Sequence, residues 1–506
     1  MDASGRIKCL PGTRTETIQF IKDWATGPVG PQNVLWVHGL AGAGKSTLAT
    51  TVASYFRGMG RLGAFLFFDR AVAERSDPLT VIRTLAHQVG SLHPYVGKAI
   101  ADAIDESPGI CLSPLPDQFQ ELLVGPLSCG EVIDANIPIV FVLDALDECG
   151  NAKRRETLLE VLTEQSVKLP PTVRILITSR LDNDISDAIR SQPHILAHEI
   201  EITSKVNRDD VSSYLRHRLE LVRRKNRRLP LANDWPGEYN IRKLIVRASG
   251  LFAWASTAME FINGYDPRVR LGIILQGHAT SGAQSALDAL YTTALESSGL
   301  WDDNDFVADF TAIIGLVLVA RRPLSTASID ALLRLPRSCL HMVSQLGCVL
   351  QQPVVRALHP SFADFLLNRS RCGRDVWFFD PSVHNRTLAI RCLDHLAEVL
   401  KKNMCELIIW EDMVDGTLPE DVSYACDFWI DHICAIDDDD TIYVTERLHD
   451  FLLNHLLHWF EAMSILRRSR DAISMLERLS LWVSVSDVTM YARYVLSQTC
   501  RFNVLV

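Results

Sequence analysis

Gly39-Leu40-Ala41-Gly42-Ala43-Gly44-Lys45-Ser46 has the spacing G-x-x-x-x-G-K-[ST]. That pattern suits one chemistry, the cradling of a polyphosphate. Gly39, Gly42 and Gly44 let backbone N–H groups turn inward around phosphate oxygens, and Ala43 and Thr47 add theirs. The start of a following helix contributes the positive end of its dipole. Lys45 brings a mobile positive charge for the β- and γ-phosphates, and Ser46 a hydroxyl for Mg²⁺.

A second acidic group lies downstream. Ile137-Pro138-Ile139-Val140-Phe141-Val142-Leu143 is an apolar run that ends in Asp144 and continues Ala145-Leu146-Asp147-Glu148. An apolar strand would carry Asp144 to the carboxyl edge of a sheet, beside the phosphate loop, where it can hold Mg²⁺ through water. Asp147 or Glu148 could orient an attacking water. A third apolar run, Ile175-Leu176-Ile177, ends in Thr178-Ser179-Arg180, and Arg180 could sense the γ-phosphate or stabilise charge during transfer.

These groups need a scaffold that brings several strand ends together. Val34–His38, Gly63–Phe68, Ile137–Leu143, Val173–Thr178 and His198–Ile202 read as strands. The third and fourth are nearly continuous apolar runs, as expected of strands covered on both faces. Helix-like stretches between them, such as Thr47–Tyr55, imply an open parallel sheet with right-handed crossovers. Beyond Thr203 helices take over: Asn207–Leu219 with Asn207 as its N-cap, then Ile241–Ala248 and Phe252–Ile262. Gly277–Gly282 suggests a linker. Cys348–Gln351 and Val354–Leu358 form an expected hairpin after helices, a winged-helix layout, and Cys372–Val506 reads as helical. The expected fold is an α/β phosphate-loop domain over 31–202 with a flanking segment 1–30. A helical domain over 203–282, a winged-helix-like domain over 283–370 and an all-α region over 371–506 follow.

Composition narrows the class. The chain has 506 residues, is 47% hydrophobic and carries a net charge of −10. It can bury large cores, and its charge argues against a dedicated nucleic-acid binder. Twelve cysteines without C-x-x-C pairs fit reduced thiols. The opening residues lack the apolar core of a signal peptide, Asp2 rules out N-myristoylation, and no apolar run approaches a membrane span. The expectation is a cytoplasmic protein.

In this order, G-L-A-G-A-G-K-S, L-D-A-L-D-E and I-T-S-R resemble the NACHT module, one of the signal-transducing (STAND) NTPases that include NOD-like receptors. Pro11-Gly12-Thr13-Arg14 and Phe20-Ile21-Lys22-Asp23-Trp24 are similar to the segment that precedes it in fungal and nephrocystin-like members. Leu358-His359-Pro360-Ser361-Phe362 resembles their winged-helix terminus. The resemblance implies an ATP/ADP switch with slow hydrolysis that self-associates when active and serves intracellular sensing through an unknown protein partner. It implies that His359 touches the ADP phosphate, and that Thr13 contacts the base by its backbone. Phe252 stands where relatives carry a proline that packs on the base. Relatives usually carry an effector domain before the module, and many carry a repeat sensor after the switch. Neither is visible here, so the chain reads as a core switch or as an incomplete gene product.

Two rivals remain open: a small-molecule kinase built on the same loop, and a regulator that uses its winged helix on DNA. The block Ser338–Leu367 is not conspicuously basic, which weighs against the second. No N-K-x-D motif follows the acidic strand, so ATP/ADP is favoured over GTP. His455 and His458, with His432 and Cys434 upstream, read as packing around a helix rather than as a zinc site. Asp437–Asp440 reads as a solvated loop, and Arg223–Arg228 as a solvated helix end.

Overall fold

The computed structural model describes residues 6–28, 30–128, 138–229, 231–232, 234–276, 282–401, 418–437 and 442–485. It divides into two compact units, Met1–Leu290 and Tyr291–Val506, and the helix Ala283–Ser298 runs through the division.

The first unit is built on a five-stranded sheet. Its strands are β1 (Val34–His38), β2 (Leu62–Phe67), β3 (Ile139–Asp144), β4 (Val173–Ser179) and β5 (Ile195–Glu199). All pairings are parallel, in the order β2-β3-β4-β1-β5. β1 to β4 are buried along their whole length. Their alternate residues feed two cores, one on each face. Trp36, Leu66, Phe141 and Ile177 enter one, with the helix Val81–Leu92. Val37, Phe65, Val142 and Leu176 enter the other, with Lys45–Gly58 and Thr15–Thr26. Two-faced burial is why these strands read as unbroken apolar runs.

The fifth strand corrects the expectation. It lies at Ile195–Glu199, not His198–Ile202. As an edge strand it buries little, so its own apolar signal is weak. Ile200, which suggested the later position, leaves the strand to pack beside Gly39 and donates its N–H to the His38 carbonyl at 2.8 Å. Ile137 lies outside the described residues, as do residues 277–281 of the expected linker Gly277–Gly282.

Helices complete this unit. Lys205–Lys225 begins earlier than expected, and its cap is Ser204, whose hydroxyl accepts the Asn207 N–H at 3.1 Å. Asn207 is therefore not the N-cap. Its buried amide donates to the carbonyls of Ile202 (2.7 Å) and Gly250 (2.9 Å). A polar side chain near a helix start can satisfy carbonyls of a neighbouring segment as readily as its own turn. Glu238–Ala248 and Phe252–Ile262 follow. The basic run closes the long helix, with Arg223 and Arg224 both on Glu220.

In the second unit, the end of the helix Ala283–Ser298 is followed by the helix Asn304–Val319 and β6 (Leu324–Ser325). The helices Thr326–Leu333 and Leu340–Gln345 follow, then β7 (Leu350–Gln351) and β8 (Val354–Ala357). The sheet order is β6-β8-β7, antiparallel. This is the helix–hairpin arrangement expected, with β6 as a third strand that two residues were too few to announce. After it, the described elements from Pro381 to Val485 are all helices. Asp437 ends a described segment, and residues 438–440 of the acidic run lie outside it, as do 402–417 and 486–506. His432 is fully buried and its ring nitrogens meet Asn385 Oδ1 (2.8 Å) and Tyr424 Oη (2.9 Å). Among the described residues no helix is long and apolar enough to cross a membrane.

Candidate functional site

β1 runs directly into the loop 39–44, and the helix Lys45–Gly58 starts from it with Gly44 at its N-cap. Gly42 and Gly44 both hold φ in the left-handed region, at 82° and 91°, where a Cβ is disfavoured. A side chain at Gly42 would also strike Ala253, its Cβ 2.6 Å away. The Ala253 N–H reaches back to the Gly42 carbonyl at 3.0 Å.

Lys45 is buried at the loop's mouth. Its ammonium donates to the carbonyls of Gly39 (2.7 Å) and Leu40 (3.0 Å). Burial pulls its pKa down to about 8, Asp147, Asp144 and Glu148 push it up, and Arg180 pushes it down. Four charged groups from two other strand ends thus act on one ammonium, which is the convergence a parallel sheet produces at its carboxyl edge. Ser46 is half-buried in the first helical turn. Thr47 closes its hydroxyl onto the Gly44 carbonyl at 2.8 Å.

Asp144 ends β3 and is wholly buried. Its Oδ1 accepts the Thr178 hydroxyl at 2.7 Å, and its Oδ2 pairs with Arg6 Nη1 at 2.8 Å. A serine hydroxyl and a buried carboxylate are each hard oxygen donors of the kind Mg²⁺ takes. The carboxylate already accommodates a cationic partner, so the residues present fit the ion.

Asp147 and Arg180 pair at two points. Arg180 Nε stands 3.0 Å from Asp147 Oδ2, and the Arg180 N–H donates to Oδ1 at 3.0 Å. Glu148 is 9% exposed, and its Oε2 lies 3.4 Å from the Arg70 N–H. Burial first, then Asp147 and Asp69, raise its pKa to about 7 against Arg70 and Arg180. A carboxyl that titrates near neutrality is suited to accept a proton from water.

Arg155 ties this region together and was not foreseen, because its helix reads only as charged surface. It is 5% exposed at its side chain and grips Asp184 with Nε at 2.6 Å and Nη2 at 3.0 Å. Nη2 reaches Asp182 at 3.3 Å, and Nη1 donates to the Asp147 carbonyl at 3.0 Å. The loops after β3 and β4 are thereby buckled to each other. Arg155→Met should cost roughly 2–3 kcal/mol, less than a fully buried pair because both aspartates are partly solvated. Urea unfolding measures this, and an unchanged midpoint would contradict it.

Thr13, Arg14 and Phe252 meet beside the loop. Thr13 is buried, and its hydroxyl donates to the Leu10 carbonyl at 2.7 Å. Arg14 Nη2 donates to the Ala43 carbonyl at 2.6 Å, and its backbone N–H to Asp210 at 3.0 Å. Its guanidinium sits 5.1 Å from the Phe252 ring centroid. That ring lies 3.6 Å from where a Gly44 Cβ would stand. His359 belongs to the second unit. It caps the helix Pro360–Leu366, its Nδ1 accepting the Ser361 N–H at 3.2 Å.

The chain is similar to known proteins in three comparisons. The family model described as nephrocystin 3, N-terminal, matches residues 15–180. The vegetative incompatibility protein HET-E-1 of Podospora anserina is 23% identical over 511 residues, covering 91% of this chain and 35% of that protein. The chain thus spans about a third of the curated relative's length. A STAND protein with a tetratricopeptide repeat sensor from Pyrococcus horikoshii superposes with a TM-score of 0.46 and 13% identity, over 98% of this chain and 59% of that one.

Proposed function

We propose that the chain, which carries a NACHT-type P-loop NTPase module, is a nucleotide-dependent signalling switch that binds ATP or ADP with Mg²⁺ and hydrolyses slowly. The observation that carries the reading is the cluster on Lys45: Asp144, Asp147, Glu148 and Arg180 all act on its ammonium at the end of the phosphate loop.

In this reading the loop amides and Lys45 hold the β- and γ-phosphates. Phosphate oxygens replace the Gly39 and Leu40 carbonyls as acceptors of the ammonium. Ser46 and Asp144 hold the metal, which would supply charge neutralisation along the phosphates. Glu148 takes the proton of the attacking water, with Asp147 fixing Arg180 for the γ-phosphate. Phe252, with Arg14 above it, gives a flat apolar face for the base, and Thr13 closes that end.

Switching requires two populated states, and the role proposed for His359 is to favour the ADP state. A hydrogen bond to a charged group is worth about 1.5–3 kcal/mol, whereas moving an equilibrium from 1:99 to 99:1 takes about 5.5 kcal/mol. His359 is then only part of the lock. His359→Ala should raise self-association at fixed ATP, read by light scattering, and unchanged assembly would remove this residue from the switch. Losing its cap should cost about 1 kcal/mol of local stability.

The function is tested by identifying the nucleotide retained after gentle purification. Retained ADP is the expected result. Rapid transfer of phosphate to a small-molecule acceptor would favour a kinase instead.

A further inference from the structure

Arg6 occupies a seat built from two strand ends. Its Nη1 pairs with Asp144 Oδ2 at 2.8 Å, on a carboxylate that is wholly buried. Its guanidinium lies 4.1 Å from the ring centroid of Phe67, the residue of β2 that stands in register with Asp144 on β3. Three residues later the chain is pinned to the phosphate-loop helix, where the Cys9 N–H donates to Thr51 Oγ1 at 2.9 Å. The segment from Arg6 to Cys9 therefore bridges the helix that carries Ser46 and the strand end that carries Asp144.

We propose that Arg6 is a built-in competitor of the divalent cation, which must be displaced from Asp144 before metal and nucleotide can load, so that loading releases this amino-terminal strap. The inference rests on the assignment of Asp144 to the metal. The physical basis is simple. A buried carboxylate needs a counter-charge, Oδ1 is already taken by Thr178, and Oδ2 is shared by whichever cation holds it. Arg6 is 28% exposed at its side chain, so its guanidinium has a path to solvent once a divalent cation takes over the carboxylate.

The test uses the full chain and N-methylanthraniloyl-ADP fluorescence at a series of free Mg²⁺ concentrations. Arg6→Ala should lower the magnesium midpoint for nucleotide binding by about tenfold, and Arg6→Lys, which keeps the charge, should stay nearer the wild type. In the wild type, trypsin cleavage at exposed Lys8 should accelerate when Mg²⁺ and ADP are added together. Urea unfolding checks that both variants are folded. Equal magnesium midpoints in wild type and Arg6→Ala, with nucleotide still bound, would overturn the proposal alone. Unchanged cleavage at Lys8 would overturn the release. No nucleotide binding by any of the three proteins, at any Mg²⁺ concentration, would overturn the site assignment and the proposal with it.

Discussion

Lys45→Met should bind ADP and ATP at least about a hundredfold more weakly than the wild type, while remaining folded. The loss follows from removing a charged hydrogen bond from the phosphates, worth up to about 3 kcal/mol, and the long-range attraction with it. The fold should persist because the ammonium is a burden without ligand. Its pKa is pulled from 10.5 to about 8 by burial. The folded protein thus binds fewer protons than the unfolded chain between those values. Stability owed to this group rises with pH across that window, and its full cost of roughly 3 kcal/mol is present below it. Methionine removes that cost, partly offset by the Gly39 and Leu40 carbonyls losing their donor. Calorimetry should give no measurable ADP binding, and the ADP-dependent rise in melting temperature should vanish. Wild-type affinity in the variant would sink the assignment of the loop.

Glu148→Gln should abolish hydrolysis, by about 10²–10⁴-fold, with ATP affinity retained. The same substitution has a signature without nucleotide. The Glu148 carboxyl has its pKa raised from 4.5 to about 7, chiefly by burial. Between those values the folded state keeps a proton that the unfolded state has lost. Stability therefore falls as pH rises through the window, by roughly 3 kcal/mol at most, and the deficit persists above it. Glutamine cannot titrate, so the variant should match the wild type near pH 4 and exceed it at pH 8 in urea unfolding. Wild-type hydrolysis should climb through pH 7 as the base form appears. Undiminished turnover in the variant would assign the proton to another group.

The centre of the first unit was legible because two-faced burial writes itself as continuous apolar sequence. β1 falls at Val34–His38 as expected, and β4 differs by the single residue Ser179. The phosphate loop, Asp144 and Arg180 follow from where such strands end. What stayed hidden obeys other rules. β5 sits at an edge and needs few apolar residues, so Ile200 and Ile202 beyond it gave the stronger signal. Asn207 looks like a cap because its type is right, yet its amide is spent on Ile202 and Gly250. Arg6 and Arg155 carry no local pattern at all. Their partners lie 138 and 29 residues away, and only the folded topology brings them within reach. Arg14 was visible only through resemblance, and its contact with Ala43 depends on a helix start that no periodicity encodes.

The peptide at Gly42 has one further consequence. Its carbonyl is held by Ala253, the second residue of the helix Phe252–Ile262, while Phe252 rests against Gly44. Gly250, just before that helix, accepts the Asn207 amide at its carbonyl (2.9 Å), and any β-carbon there would clash with the Ile202 carbonyl oxygen. The helical layer therefore has almost no slack where it meets the turn that would wrap the anion. A displacement of either partner must be answered by the other.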